Sequence, residues 1–99
     1  MTKHILQVAP KSAKVVFEND EVRIIEITLK KGERIGMHSH NKGVSYGLNK
    51  SKHKYTGADG KSEVVKRKKG SASWTESGES HAVENLGGKS RILSIELKG

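Results

Sequence analysis

His38 and His40 stand one residue apart in the stretch Gly32-Glu33-Arg34-Ile35-Gly36-Met37-His38-Ser39-His40. On extended backbone successive side chains alternate faces, so both imidazoles project to one side and Ser39 to the other. The result is a convergent pair of nitrogen donors. Neutral imidazole is the commonest protein ligand for first-row transition metals, and a close pair needs only a third donor to make an open, reactive site. Thiolate cannot be that donor, because the chain has no cysteine. The same absence excludes disulfides, iron–sulfur clusters and cysteine nucleophiles.

The elements that would carry such a pair follow from composition and spacing. Ninety-nine residues make one domain with a single modest core. Eleven glycines and one proline accompany short β-branched runs, which points to an all-β domain with many turns. Residues 1–14, interrupted by Pro10, read as a short leading strand or an arm, and residues 15–99 as one barrel domain. Val15 to Phe17 is a short strand. In the strand Val22 to Lys30, Arg23, Ile25, Ile27 and Leu29 share one face and Val22, Ile24, Glu26 and Thr28 the other. Further strands are expected at Val44 to Asn49, Lys52 to Thr56, Glu63 to Lys68, Ala72 to Thr75, around Val83, and at Arg91 to Lys98. In the last of these, Leu93, Ile95 and Leu97 alternate with Ser94 and Glu96. Asp59-Gly60 suits a hairpin turn, which needs positive φ angles. No segment holds helical periodicity over three turns, and eight or nine short strands argue a sandwich or barrel.

Formal charge is +8, with the lysines concentrated between Lys50 and Lys69. Lys50, Lys52 and Lys54 alternate along a strand, as on a solvated face or a protected edge. Stacking aromatics are scarce beside them, so nucleic-acid binding is the disfavoured reading. The amino terminus has no apolar run of signal-peptide length and nothing elsewhere is long enough to span a bilayer, so a cytoplasmic protein without membrane attachment is the expectation.

Two spacings stand out together. Gly32, five residues, His38, one residue, His40 is the first; Gly70, seven residues, Gly78, two residues, His81, three residues, Asn85 is the second. These resemble the two motifs of the cupin superfamily from about Val22 to Leu97. The stretch Trp74 to Asn85, with the closing Ile95-Glu96-Leu97-Lys98, is similar to small single-domain cupins of the β-alanine degradation protein type. The resemblance implies a double-stranded β-helix, or jelly-roll, barrel. It also implies a divalent metal held by His38, His40 and His81, with Fe(II) favoured and Mn, Ni, Zn or Cu as alternatives. A homodimer and a small-molecule substrate are implied likewise. The arrangement is physically sound, since strands distant in sequence can aim inward side chains at one point of a barrel.

Departures from the pattern carry information. Many cupins have a glutamate ligand separated from the second histidine by three or four residues; here those positions are Val44 and Ser45, and no acidic residue occurs between Asn41 and Ala58. A three-histidine site is more cationic and acidifies its bound water further. Glu76 replaces the usual proline of the second motif. His53, of inward parity, reads as a buried structural histidine or a pocket acid/base, with the former preferred. Tyr55 and Tyr46 could offer hydroxyls to a substrate, or simply pack. Trp74 reads as core or pocket wall, and His4 as incidental. The leading functional expectation is a metal-dependent, dioxygenase-like enzyme on a small polar substrate. The alternatives are a non-catalytic module that binds or senses a small ligand, and basic-surface binding of nucleic acid.

Overall fold

The computed structural model describes residues 3–98. Nine strands follow one short helix: α1 (Ile5–Val8), β1 (Ala13–Glu18), β2 (Val22–Leu29), β3 (Arg34–Ser39), β4 (Gly43–Gly47), β5 (Ser51–Gly57), β6 (Ser62–Arg67), β7 (Ala72–Thr75), β8 (Ser80–Asn85) and β9 (Ser90–Leu97). They form two facing antiparallel sheets, one ordered β1-β2-β9-β4-β7 and the other β3-β8-β5-β6. No described helix is long and apolar enough to cross a membrane.

The expected alternation of β2 is realised: Ile25 and Leu29 point into the barrel and are fully buried. With Ile5, Ala13, Ile35 and Val83 they make the core cluster, each large aliphatic contributing about 1.5–3 kcal/mol through burial. The amino-terminal segment differs from a strand or free arm. His4 caps α1, Ile5 is only 1% exposed, and β1 begins at Ala13. Burying one isoleucine closes an end of the barrel, and that apolar gain outweighs the weak propensity of a one-turn helix.

Glycines do specific work at two places. Gly60 has φ +83° in the β5–β6 turn, where the Asp59 carboxylate accepts from the Lys61 amide at 3.0 Å. At Gly43 a Cβ would sit 1.9 Å from the Ile95 carbonyl oxygen, so no other residue lets β4 approach β9 this closely.

Asn85, fully buried, is a structural pin. Its amide nitrogen donates to the carbonyls of Leu29 (3.0 Å), Lys30 (3.2 Å) and Gly88 (2.9 Å), and its oxygen accepts from Gly87 N (3.0 Å). Asn85→Ala leaves these backbone groups unpaired in the interior, and chemical denaturation should show a loss of about 3 kcal/mol. A loss under about 1 kcal/mol would mean that water replaces the amide.

One row on the outer face of the five-stranded sheet is apolar. Register places Phe17, Ile24, Ile95, Val44 and Trp74 in one row across β1, β2, β9, β4 and β7, with Phe17 51% and Trp74 53% exposed. The alternation in β9 therefore sends Leu93, Ile95 and Leu97 to this outer face and Ser90, Ile92, Ser94 and Glu96 inward.

Candidate metal centre

β3 and β8 pair so that His38 lies directly opposite His81. Regular alternation would put Ile35 and His38 on opposite faces, yet both are buried. A register irregularity between Ile35 and His38 re-aims the strand, a recurrent use of β-bulges beside functional sites. The irregularity also turns the Gly36 carbonyl toward His38, whose Nδ1 donates to it at 2.7 Å. That bond leaves the His38 Nε2 lone pair directed into the barrel.

His40, just beyond β3, brings its Nε2 to 3.1 Å from His38 Nε2. The candidate ligand atoms of His38, His40 and His81 all lie within 4.8 Å of one another. Two nitrogens each about 2.1 Å from a shared ion stand roughly 3.0–3.4 Å apart for right-angled to tetrahedral ligands, so the His38–His40 spacing fits a divalent ion. Burial pushes the His38 imidazole down to about 4, against the opposing pull of the Gly36 carbonyl. Burial, with His38, His40 and Arg67 nearby, does the same to His81. Both rings are thus neutral and ready to ligate at pH 7.

A carboxylate stands behind the triad although none follows His40 in sequence. Glu96, fully buried in β9, has an oxygen 3.6 Å from His40 Nδ1, too far for a hydrogen bond but close enough for electrostatic orientation. His40 Nδ1 is buried without a hydrogen-bond partner; a proton there faces Glu96 and frees Nε2 as a donor. The same carboxylate accepts from His4 Nε2 at 3.0 and 2.8 Å and from Asn41 N at 3.3 Å. Because His4 Nδ1 accepts from Leu6 N at 3.2 Å, the proton of neutral His4 sits on Nε2. Burial raises the Glu96 pKa, but His40, His4 and the Asn41 amide outweigh it and hold the carboxyl below its ordinary range. His4 is therefore fastened to the site. Glu96→Gln should weaken divalent-metal affinity by about 10–100-fold, the usual cost of losing an outer partner of a ligating histidine. Chelator competition reads this directly, and an unchanged affinity removes Glu96 from the centre.

The triad opens on a cavity of about 310 Å³, lined also by His53, Tyr55, Arg67 and an aliphatic wall that includes Ile27 and Ile92. His53 is not among the clustered ligands. It is 2% exposed with both ring nitrogens engaged, Nε2 with Ser90 Oγ at 2.8 Å and Nδ1 with Tyr55 OH at 3.3 Å. Burial, aided by Arg67, lowers its pKa. Tyr55 packs on His81 with ring centroids 5.1 Å apart, and burial raises its pKa despite Arg67. Tyr46 is placed elsewhere: it pairs with Leu93 and Ala72 on the outer face, because Ser45 takes the inward position of β4. Trp74 borders the cavity half-exposed, and its Nε1 donates to Glu76 at 2.6 Å. The alternating lysines behave as a solvated face, Lys52 and Lys54 being exposed.

Two inward residues escaped sequence reading. Glu96 was hidden in a strand where an apolar set also alternates. Arg67 was hidden in the run Lys66-Arg67-Lys68-Lys69; its signal is parity, since Arg67 shares a face with Val65, which pairs with His53.

No family sequence model matches the chain, and no curated protein matches it in sequence. Solved structures do. A cupin domain from Bordetella pertussis Tohama I superposes with a TM-score of 0.82 at 21% identity, covering 88% of this chain and 92% of its own. The fold is a cupin barrel. A cupin superfamily protein from Desulfitobacterium hafniense DCB-2 gives a TM-score of 0.67 at 16% identity over 88% of this chain and 76% of its own. KdgF from a Halomonas species gives 0.62 at 14%, covering 84% and 74%. These likenesses establish the double-stranded β-helix architecture of this cupin fold; the more specific resemblance to β-alanine degradation proteins has no counterpart among them.

Proposed function

We propose that this chain is a divalent-metal-dependent, dioxygenase-like enzyme acting on a small polar substrate, with His38, His40 and His81 as ligands. The observation that carries the reading is the convergence of three imidazoles on one cavity wall, two with facing Nε2 atoms at 3.1 Å. Fe(II) is the favoured metal, with Mn, Ni, Zn and Cu compatible with the same donors. When bound, such a metal supplies Lewis acidity and open positions for oxygen and substrate.

The chain's own groups do the rest. The aliphatic wall of Ile27, Leu29, Ile35 and Ile92 lowers the polarity on one side of the triad, which strengthens polar contacts there. Tyr55, its hydroxyl kept protonated by burial, is a donor beside His81. Glu96 and the Gly36 carbonyl hold two of the ligands in orientation. Metal analysis of untagged protein tests the reading, followed by oxygen uptake of the Fe(II)-loaded form with small polar acids, alcohols and amines. Less than about 0.1 metal per chain, with no stabilisation by any of the five metals, overturns it. Metal and ligand binding without turnover would favour the second reading, a non-catalytic sensing module, which the same cavity supports.

The outer row from Phe17 to Trp74 supports pairing of two copies in the same reading, since a contiguous apolar row is stabilised by cover. Sedimentation equilibrium showing only monomer at tens of micromolar would count against it.

A further inference from the structure

Arg67 lines the cavity that holds the triad, yet no carboxylate pairs with it among the described residues. Glu63 and Glu79 also border the cavity, both exposed, and neither forms an ion pair with Arg67. The guanidinium is nonetheless held in place. Its Nη1 donates to Ser45 Oγ at 3.3 Å and to Ser73 Oγ at 3.0 Å, hydroxyls supplied by two strands of the opposite sheet. Both bonds use the same nitrogen. The Nε–Nη2 edge, the planar fork that matches a carboxylate in bidentate fashion, has no acceptor among the described residues.

An oriented, half-buried guanidinium without a counter-charge is costly unless a ligand completes it. The cavity volume of about 310 Å³ corresponds to about ten waters, room for an occupant of roughly ten non-hydrogen atoms. The aliphatic wall asks for a short apolar body between two polar ends. Outside, Arg67 also borders a groove lined by Lys50, Lys52, Lys66, Lys68 and Lys89, and no described acidic side chain pairs with these lysines. Such a field raises the local concentration of anions on the surface beside Arg67.

We infer that the cavity takes a small organic carboxylate whose carboxyl group sits on the Nε–Nη2 edge of Arg67, its other end facing His38, His40 and His81. This deepens the enzymatic reading above by naming its substrate class. It also accounts for a basic surface on a protein with no evident polyanion platform.

Isothermal titration of propionate and pyruvate, with propionamide and inorganic phosphate as comparators, tests the inference on both metal-free and Zn(II)-loaded protein. The carboxylates should bind at least 10-fold more tightly than propionamide. Arg67→Gln should weaken them by 10-fold or more, Arg67→Lys by less, and raising salt from 20 to 200 mM should weaken binding to the wild type. The double variant Ser45→Ala/Ser73→Ala keeps the charge but frees the fork; it should cost severalfold, and it serves if Arg67→Gln does not fold. Arg67-dependent binding in metal-free protein supports the inference even if the metal reading fails. Carboxylate binding confined to the Zn(II)-loaded form and indifferent to Arg67 overturns it while leaving the metal site standing. Equal binding of propionate and propionamide, or binding of phosphate alone, also overturns it.

Discussion

Alanine at His38 or His81 should abolish the response of the protein to divalent metal. Losing one of three ligands exceeds the roughly 10–100-fold typical of losing an outer partner, so affinity should fall by at least about 100-fold. The effect is visible without any assay of turnover. Metal at 100 times its dissociation constant stabilises the folded state by about 2.7 kcal/mol, which for a domain of this size raises Tm by roughly 10–20 °C. Wild-type protein should show that rise, and both variants should stay within about 2 °C of their metal-free values. The two residues are expected to behave alike because they face each other across β3 and β8. A variant that still gains 10 °C on metal addition would place the ion elsewhere.

The metal-free protein should lose stability steeply as pH falls from 6.5 to 4. Burial holds His38 at about 4 in the fold, whereas its ordinary value is 6.5. Below pH 6.5 the unfolded chain takes up a proton that the folded chain refuses, so acid favours unfolding until the folded pKa is reached and the loss levels off. For His38, 1% exposed, the loss is about 2 kcal/mol by pH 5 and approaches about 3 kcal/mol near pH 4 and below. His81 and His53 are shifted downward as well, both chiefly by burial, and add in the same window and direction. Glu96 acts in a lower window: its folded pKa lies below the ordinary 4.5, so the stability it adds at neutral pH is lost only as pH drops below that value. Urea titrations at pH 7 and pH 5 measure the difference, and His38→Gln should shrink it by about 2 kcal/mol. A pH-independent midpoint over this range would mean that the imidazoles protonate freely in the fold.

The two expectations meet at the triad. Rings kept neutral by burial are costly to the metal-free fold in acid and available to a cation at neutral pH. The same burial that lowers their proton affinity leaves their lone pairs free for a cation, so the structural cost and the chemical capability have one origin.

How far the site was legible depended on the range of the interaction concerned. The parity of β2 and the Asp59-Gly60 turn are local, set by alternation and by the φ preference of glycine, and both appear as read. The spacing from Gly32 to His40 and from Gly70 to Asn85 located the three imidazoles. Asn85, conspicuous in that spacing, turned out to fasten the β8–β9 turn to the end of β2 and is not among the clustered candidate ligands. Tyr46 has the chemistry of a pocket residue but the parity of the outer face. His4 had no local signal at all, since its partner Glu96 lies at the other end of the chain.

What the amino-acid sequence determined alone was the all-β class and the projection of His38 and His40 to one side, because alternation and turn chemistry act over a few residues; His81 was singled out as a candidate third donor by the resemblance of its spacing to the cupin pattern. Tertiary structure decided which alternating set of β9 faces inward, and hence that a carboxylate stands behind His40. It also decided that Arg67, one cation in a basic run, turns into the cavity. Both follow from the register of strands far apart in sequence, and register is fixed only when the two sheets close over a common core.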